Sequence, residues 1–352
     1  MSNPLNEQRR RLLSGTAALG GLALLSMSGV DMFRNADASS APPSTTGIGK
    51  TPSASFGSLR QIQAGELTIG YVELGPANGP VAVLLHGWPH DIHSFAEVAP
   101  LLAAQGYRVI VPFLRGFGTT RILSASTPRN GQQSIFAVDT IALMDALLIE
   151  NAVIAGFDWG GRAGNIIAAV WPERCRALVS VSGYLIGSQE AYRKPAPPQA
   201  EIQAWFQYYF ATDRGAAGYA QNVAEFNKLI WQNASPKFRF DNETYLRTAA
   251  SFDNPDHVSI VVDNYRWRLG RSHGEPRLDG LEKRLAQAPT ISVPTITLEG
   301  DANGAPHQLA AAYAKQFTGR YQHRDITGGI GHNLPQEAPK AFTDAVLQVE
   351  NL

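Results

Sequence analysis

The chain is poor in the features that would tie it to several common function classes. Cys175 is the only cysteine in 352 residues, so no intrachain disulfide can staple the fold. Formal net charge is zero, and the 30 basic residues are scattered among 30 acidic ones, which argues against a nucleic acid or an anionic membrane surface as partner. There is no dinucleotide fingerprint and no His/Cys spacing of a metal site. No Gly-x-Ser-x-Gly occurs either, so a serine nucleophile on a strand-to-helix elbow is not expected. What remains is an ordinary composition, 44% hydrophobic and 17% charged, able to bury a large core.

The N-terminal stretch is different material. Arg9, Arg10 and Arg11 precede an apolar run over residues 15–27, and Ala36-Asp37-Ala38 supplies a small-x-small cleavage pattern. That order predicts a twin-arginine signal peptide over residues 1–38 and an exported, periplasmic or secreted protein. The run is shorter than the ~20 residues that span a bilayer, so stable membrane insertion is not expected. An exported chain without a disulfide also suits a route that carries folded cargo. Residues 39–63 begin rich in Ser, Pro, Thr and Gly and read as a flexible linker.

From residue 67 onward, short apolar runs alternate with segments of helical period. Strands are expected at 67–74, 81–85, 108–113, 153–155, 177–181, 293–298 and 321–326, with helices around 95–104, 134–148, 163–170, 308–316 and from Pro335 onward. Continuous apolar strands alternating with helices imply an α/β fold: a mostly parallel sheet covered on both faces. Between residues 188 and 288 the texture changes to aromatic, helical sequence with no buried-strand pattern. That insertion is expected to form a cap over a core made of residues 64–187 and 289–352, at the sheet edge where open α/β sheets bind ligands.

The sequence turns around Gly156-Phe157-Asp158-Trp159-Gly160, which leads from a short strand into a helix. Small residues flank such an elbow because backbone approaches too closely for side chains. Here the elbow residue is a carboxylate. A serine would attack a carbonyl, whereas an aspartate is suited to attacking a saturated electrophilic carbon and leaving an alkyl ester of the enzyme.

With His86-Gly87-Trp88-Pro89, Leu114-Arg115-Gly116-Phe117-Gly118, the Asp158 elbow, Gly300-Asp301 and Gly331-His332 in that order, the chain resembles the α/β-hydrolase superfamily. More narrowly it is similar to the aspartate-nucleophile branch, with epoxide hydrolases and haloalkane dehalogenases. The resemblance implies Asp158 as nucleophile, His332 as the base that activates water, and backbone N–H groups of Trp88 and Trp159 as the oxyanion hole, with both indoles lining the cavity. The family's usual position for the acid that orients the base holds Asn303; Asp301, the nearest carboxylate, is the residue expected to take that role. Cap tyrosines serve as proton donors in epoxide hydrolases. Asn264-Tyr265-Arg266-Trp267 resembles the segment carrying the second of these. The first falls on Phe206, with Tyr208 as a neighbouring substitute.

Three functional readings follow. An epoxide hydrolase would use Asp158, Tyr265 and His332 with Asp301 to release a diol. A dehalogenase would share the nucleophile, base and oxyanion hole but stabilise halide, and a binding protein on the same fold would need neither. Arg162 matches one of two arginines that haloacid-cleaving relatives place on a substrate carboxylate; the companion position is Trp159, so Arg162 is expected to be a structural ion-pair residue. The expected partners are water and a small, apolar electrophile, and this chemistry requires no cofactor.

Overall fold

The computed structural model describes residues 56–352, so the leader expected over residues 1–38 lies outside the described part. Nine strands form one sheet: β1 Leu59–Ala64, β2 Leu67–Leu74, β3 Val81–Leu85, β4 Arg108–Pro112, β5 Arg121–Ile122, β6 Ala152–Gly156, β7 Cys175–Val181, β8 Thr295–Gly300 and β9 Tyr321–Ile326. Their order is β1-β2-β4-β3-β6-β7-β8-β9, with β5 paired to β2. The pairs from β4 to β9 are parallel, and β2 runs antiparallel to β1, β4 and β5.

Strands β3 and β6 are buried almost throughout, as expected for strands covered on both faces. Helices α1 Val98–Ala104, α2 Gln133–Ala146 and α3 Asp158–Val170 connect the first half of the sheet. Chain order reverses between β3 and β6, because the chain leaves β3 toward β4 on one side and returns with β6 on the other. In open α/β sheets the crevice at such a switch point is the ligand site. Both motif turns, His86-Gly87-Trp88 and Phe157-Asp158, leave the sheet there.

Between β7 and β8 the chain forms helices α4 Gln189–Tyr192, α5 Pro198–Gln203, α6 Trp205–Ala211, α7 Asp213–Gln221, α8 Val223–Ala234, α9 Asn242–Ala249, α10 His257–Arg268 and α11 Asp279–Leu285. Phe210, Tyr219, Trp231, Tyr245 and Tyr265 form their buried aromatic interior. The indole of Trp231 donates to Pro89 O at 2.7 Å and Asn254 Nδ2 donates to Thr120 O at 2.6 Å, so these helices are tied to the turns after β3 and β4. After β8 come α12 Ala310–Tyr313, β9, α13 Leu334–Glu337 and α14 Pro339–Gln348.

One boundary is corrected. The linker expected to run to residue 63 ends earlier, because β1 occupies Leu59–Ala64. It is an edge strand with most of its side chains exposed, so it shows little of the apolar pattern that marks the inner strands.

Candidate active site

Asp158 is the first residue of α3 and has φ of +50°, a left-handed conformation that a non-glycine residue adopts at a cost. Neighbouring backbone enforces this geometry. A Cβ added to Gly160 would lie 2.1 Å from Leu85 O, and one on Gly87 would lie 2.4 Å from Asp158 Cβ. Both glycines are therefore demanded by close approach of the β3 turn to the elbow. The approach places the Trp88 N–H against the carboxylate, donating to Asp158 Oδ1 at 2.8 Å. His86 shapes the same turn: its Nδ1 lies 3.0 Å from Gly87 O, and its Nε2 accepts from Leu114 N at 3.1 Å. Burial pulls the His86 pKa down to about 4, so it works as a neutral bridge between two loops.

His332 Nε2 lies 3.9 Å from Asp158 Oδ2. This separation is too long for a direct hydrogen bond. Its loop is held through its backbone. Asp301 accepts from the amides of Gly328, Gly329 and Ile330 at 2.8–3.1 Å. Glu337 accepts from Gly331 N at 2.6 Å and Asn333 N at 3.1 Å, and His332 N donates to Ser235 Oγ at 3.0 Å. Six consecutive amides thus have partners, from two carboxylates and one hydroxyl. Burial works against ionised Asp301, but its three amide donors outweigh it and hold the pKa below the ordinary value. At Glu337 burial wins and the pKa is raised, even though Ser235 Oγ also donates to it at 2.6 Å.

The expected role of Asp301 is therefore corrected. Its oxygens are engaged by the turn's amides and not by the imidazole, and His332 Nδ1 has no hydrogen-bond partner among the described residues. Asn303 does not replace it: its Nδ2 donates to Glu299 Oε1 at 2.7 Å and Ser182 Oγ at 3.2 Å, and its Oδ1 accepts from Ala305 N. The acid two residues before the family's position reaches the backbone of the histidine loop instead of its ring.

A cavity of about 510 Å³ opens over Asp158, lined among others by Trp88, Phe206, Tyr265 and His332. Tyr265 on α10 is 2% exposed, with its ring 5.3 Å from that of Trp88 and 5.2 Å from that of Phe206. Burial, then the charge of Asp158, raises its pKa well above the phenol value, so the hydroxyl keeps its proton at neutral pH. Phe206 lines the cavity without a hydroxyl. Tyr208 does not substitute for it: it lies two residues further along α6, where the helix turns by about 200°, is 45% exposed and donates to Glu201 Oε2. The Trp159 indole is not itself part of the cavity lining; it packs behind it, on Phe136, Phe117 and Tyr265, with ring centroids 4.9, 6.1 and 6.2 Å away.

Several site residues carried little sequence signal. Tyr219 accepts from Trp88 Nε1 at 3.1 Å and lies 2.8 Å from His257 Nε2, while His257 Nδ1 lies 2.8 Å from Gly116 O. This buried chain fixes the Trp88 ring. Ser235 and Glu337 lie far from His332 or past the motif, and nothing in their surroundings marks them. Arg268 was legible in principle, because it stands three residues after Tyr265 on one helix and so shares its face. Among the described residues Arg162 forms no ion pair, contrary to expectation: its Nε donates to Leu185 O at 2.8 Å and its Nη1 has no hydrogen-bond partner. Among the described residues, no group of three or more His, Cys, Asp or Glu could hold a metal, and no helix is long and apolar enough to cross a membrane.

Comparison with known proteins identifies the fold family and its relatives. The family described as alpha/beta hydrolase fold matches residues 80–323. A crystal structure of a candidate epoxide hydrolase from Klebsiella pneumoniae subsp. pneumoniae is 58% identical, with a TM-score of 0.84, covering 86% of this chain and 100% of that one. Among curated relatives, epoxide hydrolase B of Mycobacterium tuberculosis is 31% identical over 149 residues, 39% of this chain and 41% of the relative. Fluoroacetate dehalogenase of a Burkholderia species is 37% identical over 120 residues, 34% of this chain and 38% of the relative. The chain thus spans about two fifths of the length of these curated relatives.

Proposed function

The chain belongs to the α/β-hydrolase fold family, and within it we propose that it is an epoxide hydrolase working through a covalent ester on Asp158. The observation that carries this reading is the meeting of three groups in one cavity: an elbow aspartate already on an oxyanion-hole amide, a histidine base and a protonated tyrosine.

In the first step an oxygen of Asp158 attacks a ring carbon. The C–O bond of the epoxide breaks, its electron pair goes to the ring oxygen, and Tyr265 delivers the proton that makes it a hydroxyl. A phenol with a raised pKa still donates readily to an alkoxide, which is a far stronger base. In the second step His332 takes a proton from water as that water attacks the ester carbonyl. The Trp88 N–H, 2.8 Å from Asp158 Oδ1, is placed to stabilise the tetrahedral anion, a contribution of about 3–4 kcal/mol for one such donor. The first-turn amide of Trp159, free of an intrahelical partner by its position, is the second candidate donor. Hydrolysis to carboxylate and diol releases one proton, which restores the Tyr265 phenol.

A dehalogenase would share the nucleophile and base. The indole of Trp159, whose Nε1 has no hydrogen-bond partner among the described residues, would suit a halide as well and does not separate the two readings; the buried, protonated Tyr265 in the cavity favours the epoxide.

The test is to trap the ester. A His332→Gln variant incubated with an aryl epoxide should gain the full mass of the epoxide, on the peptide containing Asp158. An adduct formed only from a bromoalkane would move the assignment to dehalogenation. No adduct from either would overturn the covalent-aspartate mechanism.

A further inference from the structure

Two cations share the cavity with Asp158, and among the described residues neither makes a direct ion pair. Arg162 is 8% exposed and Arg268 is 5% exposed, and both line the cavity. Arg162 uses its Nε on the Leu185 carbonyl and leaves Nη1 unpaired. Arg268 leaves Nε and Nη2 unpaired; its guanidinium carbon sits 4.9 Å from the ring centroid of Tyr265 and 5.7 Å from that of Tyr192. Aromatic faces support a cation but do not satisfy its N–H donors.

Buried arginines are normally paired, because an uncompensated charge and its unmet donors are costly away from water. This protein follows that rule elsewhere. Arg115, 1% exposed, binds Asp139 through two parallel contacts at 2.6 and 2.8 Å. The departure at Arg162 and Arg268 is confined to the cavity.

Charge counting says what is missing. Among the described residues lining the cavity, Asp158 is the only acid and Arg162 and Arg268 are the only bases besides His332. With Asp158 ionised, one positive charge is left over. Once Asp158 becomes an ester, both are. The local potential is also felt by Tyr192: burial raises its phenol pKa, but Arg162 and Arg268 outweigh that and hold it below the ordinary value. A ligand of one negative charge would balance the resting cavity, and planar guanidinium donors match a carboxylate.

We propose that Arg162 and Arg268 form a carboxylate-binding subsite, so that the substrate is an epoxide carrying an acid group. The proposal rests on the epoxide hydrolase reading, and it replaces the apolar substrate expected from the aromatic cap. One arginine comes from the elbow helix α3 and the other from α10, which also carries Tyr265. The acid group would therefore be held by both the core and the cap, fixing the ring between the nucleophile and the proton donor.

The experiment compares 3-phenylglycidate with its neutral amide, 3-phenylglycidamide. Wild-type protein should favour the acid by about 100-fold or more in kcat/KM, and Arg268→Gln and Arg162→Gln should each cut the acid-to-amide ratio by roughly 10- to 100-fold, with partial recovery in Arg268→Lys. A wild-type ratio near one, or a ratio unchanged in both folded variants, would overturn the subsite. Should the variants not fold, the wild-type ratio still decides. Calorimetric titration of wild-type protein with the unreactive 3-phenylpropanoate tests the anion site apart from chemistry. Saturable binding of that acid, with no binding of 3-phenylpropanamide, supports the subsite even if His332→Gln traps neither epoxide, a result that would sink only the hydrolase reading. Equal trapping rates for acid and amide would do the reverse.

Discussion

At position 158 side-chain chemistry and backbone conformation act together. In the proposed mechanism the carboxylate selects attack on carbon, and the left-handed backbone lifts it out of the sheet edge to meet the Trp88 amide. The two cap tyrosines separate at the same scale. Tyr265 is buried beside Asp158, whereas Tyr208 faces outward to Glu201. Tyr265→Phe should lower kcat for epoxide opening by about 10²- to 10⁴-fold, the usual range for losing a general acid. Tyr208→Phe should change it less than about twofold, as for a surface substitution away from the site. Steady-state kinetics on one epoxide checks both, and equal effects would remove Tyr265 from the mechanism.

Among the elements, the loop that carries His332 has the most unusual support. It has no regular structure of its own, yet the six amides from Gly328 to Asn333 are engaged by Asp301, Glu337 and Ser235. Ser235 immediately follows the cap helix α8, so His332 is positioned by core and cap jointly. Asp301→Ala should lower kcat by roughly 10-fold or more with little change in KM, since it loosens the base without touching substrate. Amide hydrogen exchange should speed up at Gly328–Ile330 while β8 and β9 stay protected. Lost activity with unchanged exchange in that loop would contradict the positioning role.

For the whole molecule, three buried histidines tie the loops together: His86 joins two core loops, while His90 and His257 link the core to the cap. Burial lowers the pKa of His86 and of His257 to about 4 and that of His90 well below its ordinary value. The folded state keeps these rings neutral, while the unfolded chain takes up protons near pH 6.5, so stability falls as pH drops from about 6.5 toward 4. The linkage is roughly 3 kcal/mol each for His86 and His257, enough to make the protein acid-labile. Thermal melts from pH 7.5 to 4.5 should show Tm falling steeply below pH 6.5. A flat profile across that window would contradict the neutral-bridge account.

The inner strands, the elbow, and the placement of Asp158 and His332 after their strands were determined by the sequence itself, because burial on both faces and close backbone approach leave local marks: continuous apolar runs and obligatory glycines. Edge strand β1 left no such mark, since most of its side chains are exposed. What a polar side chain meets is a different matter, because its partner is distant in the chain. Asp301 was legible as a carboxylate near the base but not as a clamp on amides 27 to 29 residues away. Arg162 looked like half of an ion pair, yet among the described residues no carboxylate reaches it and its Nη1 has no hydrogen-bond partner. Only the tertiary structure brought it into one cavity with Arg268, 106 residues further on, because hydrophobic period encodes which face is buried and not which charges will share the space.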